Sequence, residues 1–127
     1  MPKLEEMLGP LEAEVMQILW IRGPSLASEV TQVINDRRTV PLSYKTILTI
    51  CTRLSDKGFL VHEKEGRAFR YAAKMTEAAF VADQASKAAD TFLERFGDAA
   101  LASFVNQVTA DPKQLAALRD LLEVRDT

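Results

Sequence analysis

From Ser43 onward the apolar side chains Ile47, Ile50, Cys51 and Leu54 recur at helical spacing, which predicts an amphipathic helix with one buried stripe. At about 100° per residue, Lys45, Leu48, Thr49 and Thr52 fall on the opposite face. An ammonium, two hydroxyls and an aliphatic tip on that face suit the floor of a DNA major groove. The helix is expected to stop at Lys57-Gly58, with a cation in its last turn and a glycine to leave the helical conformation. The pattern then switches to a strand period. Leu60 to Lys64 and Arg67 to Ala72 read as paired strands joined at Glu65-Gly66, with Phe69 and Tyr71 on one face and Arg70 on the other.

Upstream, Pro10 suits a first helical turn, Glu12 and Glu14 favour the positive end of the dipole, and Leu11, Val15, Ile18 and Leu19 make an apolar stripe, so a helix is expected to about Arg22. Gly23-Pro24 ends it. A second, short helix over roughly Ala27 to Asp36 turns Val30, Val33 and Ile34 inward, and Pro41 forces a break before Ser43 caps the third. Three helices followed by a hairpin is the order of a winged helix-turn-helix domain.

After Lys74, alanine and acidic residues dominate and the period is helical throughout. A long helix is expected over Thr76 to Arg95, with Phe80, Ala85, Ala88 and Phe92 to one side. Gly97 breaks it before a helix from Ala99 to Val108, and Asp111-Pro112 opens a last one carrying Leu115, Leu118, Leu121 and Leu122. Each helix has an apolar face with no sheet to cover it, and about 50 residues of helix seldom bury enough surface alone. Pairing with a second copy is the economical solution; a bundle folded back on the N-terminal domain is the alternative. The chain is therefore expected to be mainly α with a small β wing. A winged-helix DNA-binding domain would occupy residues 1–75 and a helical dimerisation domain residues 76–127. Phe80, Phe92, Leu101, Phe104, Val105, Leu118, Leu121 and Leu122 would form the interface of a homodimer.

The 127 residues carry a net charge of −2, but the charge is unevenly spread. Residues 37–74 hold nine cations against three carboxylates, a net of +6, while the segments on either side are each at −4. A basic block that coincides with the predicted recognition helix and wing is the footprint of a phosphate-facing surface. Other chemistry finds little to stand on. The single cysteine, Cys51, and single histidine, His62, cannot by themselves make a structural zinc site or a Cys-His-acid constellation, and the isolated glycines form no phosphate cradle. No catalytic residue, metal or cofactor is expected. No apolar run reaches the roughly 20 residues that span a bilayer, and the start MPKLEEMLGPLE is too acidic for a secretory signal, so a cytoplasmic protein without membrane insertion is expected.

The segments EAEVMQILW (Glu12 to Trp20), SYKTILTICTRLSDKGFL (Ser43 to Leu60) and EKEGRAFRY (Glu63 to Tyr71), taken in order, resemble the BlaI/MecI/CopY family of bacterial repressors. The similarity runs over nearly the whole chain, helical tail included. It implies a homodimeric winged-helix repressor of penicillinase or related resistance operons, bound to a palindromic double-stranded DNA operator until a signal removes it. Ser43, Tyr44, Lys45, Thr46 and Thr49 match the family's DNA-reading positions and Arg67 matches its wing, while Leu48 departs from relatives that carry arginine there. Relatives of the β-lactam type are inactivated when a membrane sensor-transducer triggers cleavage of an Asn-Phe bond in the tail, and the matching bond here is Ser103-Phe104. The copper-sensing branch carries a cysteine-rich tail, which the ending LLEVRDT lacks. Two other readings stay open: a ligand-gated winged-helix regulator, and a winged domain that meets an acidic protein instead of DNA.

Overall fold

The computed structural model describes residues 4–126. In chain order the elements are α1 (Leu4–Met7), α2 (Pro10–Arg22), β1 (Ser25–Leu26), α3 (Ala27–Asn35), α4 (Tyr44–Asp56), β2 (Leu60–Glu65), β3 (Ala68–Ala73), α5 (Glu77–Ala110) and α6 (Pro112–Asp126). This is a winged helix followed by a helical tail. The chain divides into two compact units, Met1–Gln84 and Ala85–Thr127, later than the 75/76 boundary expected from composition.

Unit one is built around α2. Ala13, Val15, Met16, Ile18 and Leu19 are all buried, so this helix is enclosed on more than a single stripe. Val30 and Ile34 of α3 and Ile47, Ile50, Cys51 and Leu54 of α4 close on it, and Leu60 and Tyr71 contribute from the sheet. The stripe expected on α4 is therefore the buried one. Cys51 is a small core residue whose thiol is pushed up to about 11 by burial, which keeps it protonated and unreactive.

The sheet has three antiparallel strands in the order β1-β3-β2, one more than the hairpin expected. β1 pairs Ser25 with Tyr71 and Leu26 with Arg70, and at two residues it is too short for alternation to reveal it. β2 and β3 pair from Leu60↔Ala73 out to Glu65↔Ala68. The connecting turn is Gly66-Arg67, one residue beyond the Glu65-Gly66 expected, with φ +64° at Gly66. Positive φ at the first central residue and not the second is the type II′ geometry that matches the twist of a two-residue hairpin.

One expected interface residue belongs elsewhere. Phe80 is fully buried in unit one, 4.9 Å edge-on from Phe59 and 5.5 Å from Trp20 between ring centroids, and Trp20 Nε1 donates to the Met75 carbonyl at 2.9 Å. Its ring is spent inside the chain and cannot also meet a second copy. The same contacts draw the first turns of α5 into unit one and explain the later boundary.

Unit two holds the rest of α5 and α6. Gly97, at φ 58° and ψ −134°, interrupts α5 where a break was expected. Among the described residues of this unit only Ala100 and Val108 are buried apolar side chains. Phe92, Leu93, Phe96, Leu101, Phe104, Val105, Leu121 and Leu122 are exposed.

Candidate nucleic-acid interface

The start of α4 is set by two local devices. Ser43 has the extended backbone of an N-cap, and its Oγ accepts from the Thr46 N–H at 3.1 Å, with the two hydroxyls 2.9 Å apart. Upstream, the Asn35 side chain clasps Leu42 on both sides: Nδ2 donates to the Leu42 carbonyl at 2.9 Å and Oδ1 accepts from its N–H at 2.8 Å. This clasp fixes the connection between α3 and α4 and delivers Ser43 to the cap position. Asn35 has no periodicity or motif to mark it, and only its place at a helix end could have suggested the role.

Ser43, Tyr44, Lys45, Thr46 and Thr49 all lie exposed on this first part of α4. Positive helix dipole, leading backbone N–H groups and hydroxyls make such an end suitable for an anion. Thr49 and Thr52 are both exposed, and each donates its hydroxyl to the carbonyl four residues back, at 2.9 Å. Leu48 does not join them. It is half-buried and packed against the core, because one step from Ile47 and three from Cys51 puts it at the edge of the buried stripe. The outward face is thus more polar than expected.

The wing is fastened to α4. His62 Nδ1 and Ser55 Oγ lie 2.9 Å apart, and the His62 ring stands edge-on to Phe69 at 5.0 Å and tilted to Tyr71 at 5.9 Å. Tyr71 is buried, and that burial pushes its phenol pKa up, against the opposing effect of its hydrogen bond with the Thr52 side chain. Arg67 sits exposed in the turn at the wing tip.

The structure sorts the basic block into two classes. Arg38 pairs with Glu14 at 2.8 Å, Lys57 with Glu12 at 2.9 Å, and Arg70 with Glu65 and Glu29 at 2.8 and 3.3 Å. Among the described residues, no carboxylate lies within salt-bridge distance of Arg37, Lys45, Arg53, Lys64, Arg67 or Lys74. The unpaired class includes the cations of the outward α4 face and of the wing tip. Glu29 is a junction: it accepts from the Leu26 N–H at 2.9 Å and from Arg22 at 2.9 Å. The Leu26 backbone bond is the largest influence and lowers the Glu29 carboxyl pKa; burial, the next largest, opposes it, and Arg22 and then Arg70 add to the lowering. No sequence signal joined these residues, since Glu29 and Arg70 are brought together only by the fold.

In unit two, Ser103 and Phe104 are exposed on α5. Phe104 borders two apolar grooves, one of about 280 Å³ with Phe92, Leu93 and Leu101, the other of about 310 Å³ with Val108, Leu118 and Leu121. Among the described residues no group of three or more His, Cys, Asp or Glu could hold a metal ion, and no helix is long and apolar enough to cross a membrane.

The penicillinase repressor of Bacillus licheniformis is 35% identical over 98 residues, which cover 77% of this chain and 72% of that one. The transcriptional regulator BlaI of Mycobacterium tuberculosis is 35% identical over 109 residues, 82% of this chain and 75% of its own. Among solved structures, the complex structure of hsRosR-S1 matches 91% of this chain and 99% of that one at a TM-score of 0.51 and 17% identity, a likeness of fold. The model of the penicillinase repressor family matches residues 8–124, and the chain belongs to that family of DNA-binding transcriptional repressors, which are not enzymes.

Proposed function

We propose that this repressor acts in the cytoplasm as a homodimer on a palindromic operator of a resistance-type operon. Each copy would lay the exposed start of α4 in a major groove and set Arg67 of the wing on the adjacent backbone or minor groove. The observation that carries this reading is the sorting of cations. Three of the nine in the basic block are neutralised by carboxylates, while among the described residues Lys45 and Arg53, exposed on α4 with Ser43, Thr46 and Thr49 at its start, and Arg67, exposed at the wing tip, have no carboxylate partner. A surface built only to be solvated has no need of that division. A protein reader of bases needs both parts: phosphate contacts for register and short polar side chains for base edges.

Support for a homodimer comes from the tail, where Phe92, Phe96, Leu101, Phe104, Leu121 and Leu122 are exposed and only Ala100 and Val108 among the described apolar residues of the unit are buried. A second copy would cover it and bring two recognition helices to two half-sites. Release would follow from a cut at Ser103-Phe104, or from another signal that weakens this pairing, with a membrane sensor-transducer as the source of the protease signal.

Titration of the full chain against a duplex selected from a random pool, at several salt concentrations, tests the reading. Affinity should fall steeply with salt, and the selected duplex should outcompete random DNA by roughly 10³ or more. Equal affinity for selected and random duplexes would exclude an operator-specific repressor, and binding unaffected by salt would point to the basic face meeting something other than phosphate.

A further inference from the structure

We infer that Arg70, although it lies in the basic wing, is not a DNA contact but a positioning residue that holds the wing tip and hence Arg67 in place; this rests on the operator-binding reading above. All three nitrogens of its guanidinium are engaged within the chain. Nε and Nη2 both donate to Oε2 of Glu65, at 3.1 and 2.8 Å, and Nη1 donates to the Pro24 carbonyl at 3.2 Å and to Oε1 of Glu29 at 3.3 Å. The planar fork therefore links the last residue of β2 to the connection after α2 and to the first turn of α3.

Its position along the ladder gives the link its use. β1 pairs only with Tyr71 and Arg70, so the outer rungs Lys64↔Phe69 and Glu65↔Ala68 have no third strand beside them. A two-stranded hairpin standing alone is marginal in water. Arg70 is the last residue with β1 at its side, and on the same face of the hairpin it reaches diagonally outward to Glu65, whose next neighbours are Gly66 and Arg67. Glu29, which takes the other end of the fork, is itself held by the Leu26 N–H and by Arg22. The network thus stiffens the wing where backbone pairing stops, directly behind the residue assigned to DNA.

The two roles differ in how Arg70 and Arg67 combine. The experiment is a double-mutant cycle in the full chain, measuring affinity and salt slope on the duplex selected by the unmodified protein, with Arg67→Ala, Arg70→Met and the pair together. A residue that acts through Arg67 costs affinity alone but almost nothing once Arg67 is gone, and the salt slope of the double variant equals that of Arg67→Ala. A direct phosphate contact costs affinity in both backgrounds and lowers the slope by about one more in the second. A general loss of folding also costs affinity in both. Either of the latter results overturns the inference.

Glu65→Met supplies an arm that does not depend on Arg70 variants folding. Removing an exposed carboxylate from a surface that faces phosphate ordinarily raises affinity. Loss of the anchor lowers it, and again only while Arg67 is present. Raised or unchanged affinity would overturn the inference. Arg67→Ala binding as tightly as the parent would overturn it as well while leaving the repressor reading intact, whereas failure of the parent to select any duplex would remove that reading first.

Discussion

Single side chains divide here by what they are tied to. Lys45 and Arg67 are exposed with no carboxylate beside them among the described residues, so replacing either by alanine should leave the fold unchanged and weaken operator binding, with a salt slope lower by about one. Titration at three salt concentrations reads both quantities; unchanged affinity and slope would remove the residue from the contact surface. Phe80 is the opposite case. Its ring fills unit one between Trp20 and Phe59, so Phe80→Ala should destabilise that unit by about 3–5 kcal/mol in urea unfolding. Sedimentation of the still-folded protein should give the same dimer fraction as the parent. A weakened dimer with unchanged unfolding would return Phe80 to the interface assigned to it from periodicity alone. Helical spacing identified this phenylalanine as inward-facing; it could not tell which inside.

At the level of elements, the parts legible in the sequence were those that repeat. The buried stripe of α4 follows from a period sustained over 13 residues, α2 is marked by Pro10 at its start and Gly23 at its end although its burial extends beyond the expected stripe, and Ser43 and Gly58 punctuate α4 as local chemistry requires. β1 escaped because two residues hold no period, and the Gly66-Arg67 turn lay one residue on because composition marks the glycine but not its place in the turn. Leu48 fell at the boundary of two faces, where a helical wheel cannot decide. The Asn35 clasp and the Arg70 network were invisible for a different reason: their partners are apposed by tertiary folding, and neither leaves a pattern in its own element. Gly97 was legible as a break and its geometry gives the break a test. In an ordinary helical position Gly→Ala adds about 1 kcal/mol of stability. At φ 58° and ψ −134° a side chain is strained, and Gly97→Ala should instead cost about 1–3 kcal/mol in thermal or urea unfolding. A stabilised variant would mean that the two parts of α5 can join as one straight helix.

For the molecule as a whole, the two units imply a division of labour that truncation and cleavage can expose. Removing residues 85–127 should leave a folded winged domain that sediments as a monomer and binds a half-site weakly, because Phe80 and its contacts stay with unit one while the exposed apolar tail is gone. Ending the chain at residue 75 should fare worse, since it takes Phe80 away and opens the core beside Trp20. A cut at Ser103-Phe104 asks the same question in the intact protein. Phe104 borders two apolar grooves in unit two, so cleavage there separates Leu101 from the residues C-terminal to the break and divides the surface proposed to pair. A dimer held on two half-sites gains from effective concentration, and losing the pairing surface can cost about 10²–10⁴ in apparent affinity without altering one DNA contact. An engineered protease site at this bond gives the measurement. Cut protein should dissociate in sedimentation and release operator DNA, yet keep the half-site affinity of the truncated domain. If it remains dimeric and bound at the parent's affinity, derepression by cleavage at this bond is excluded.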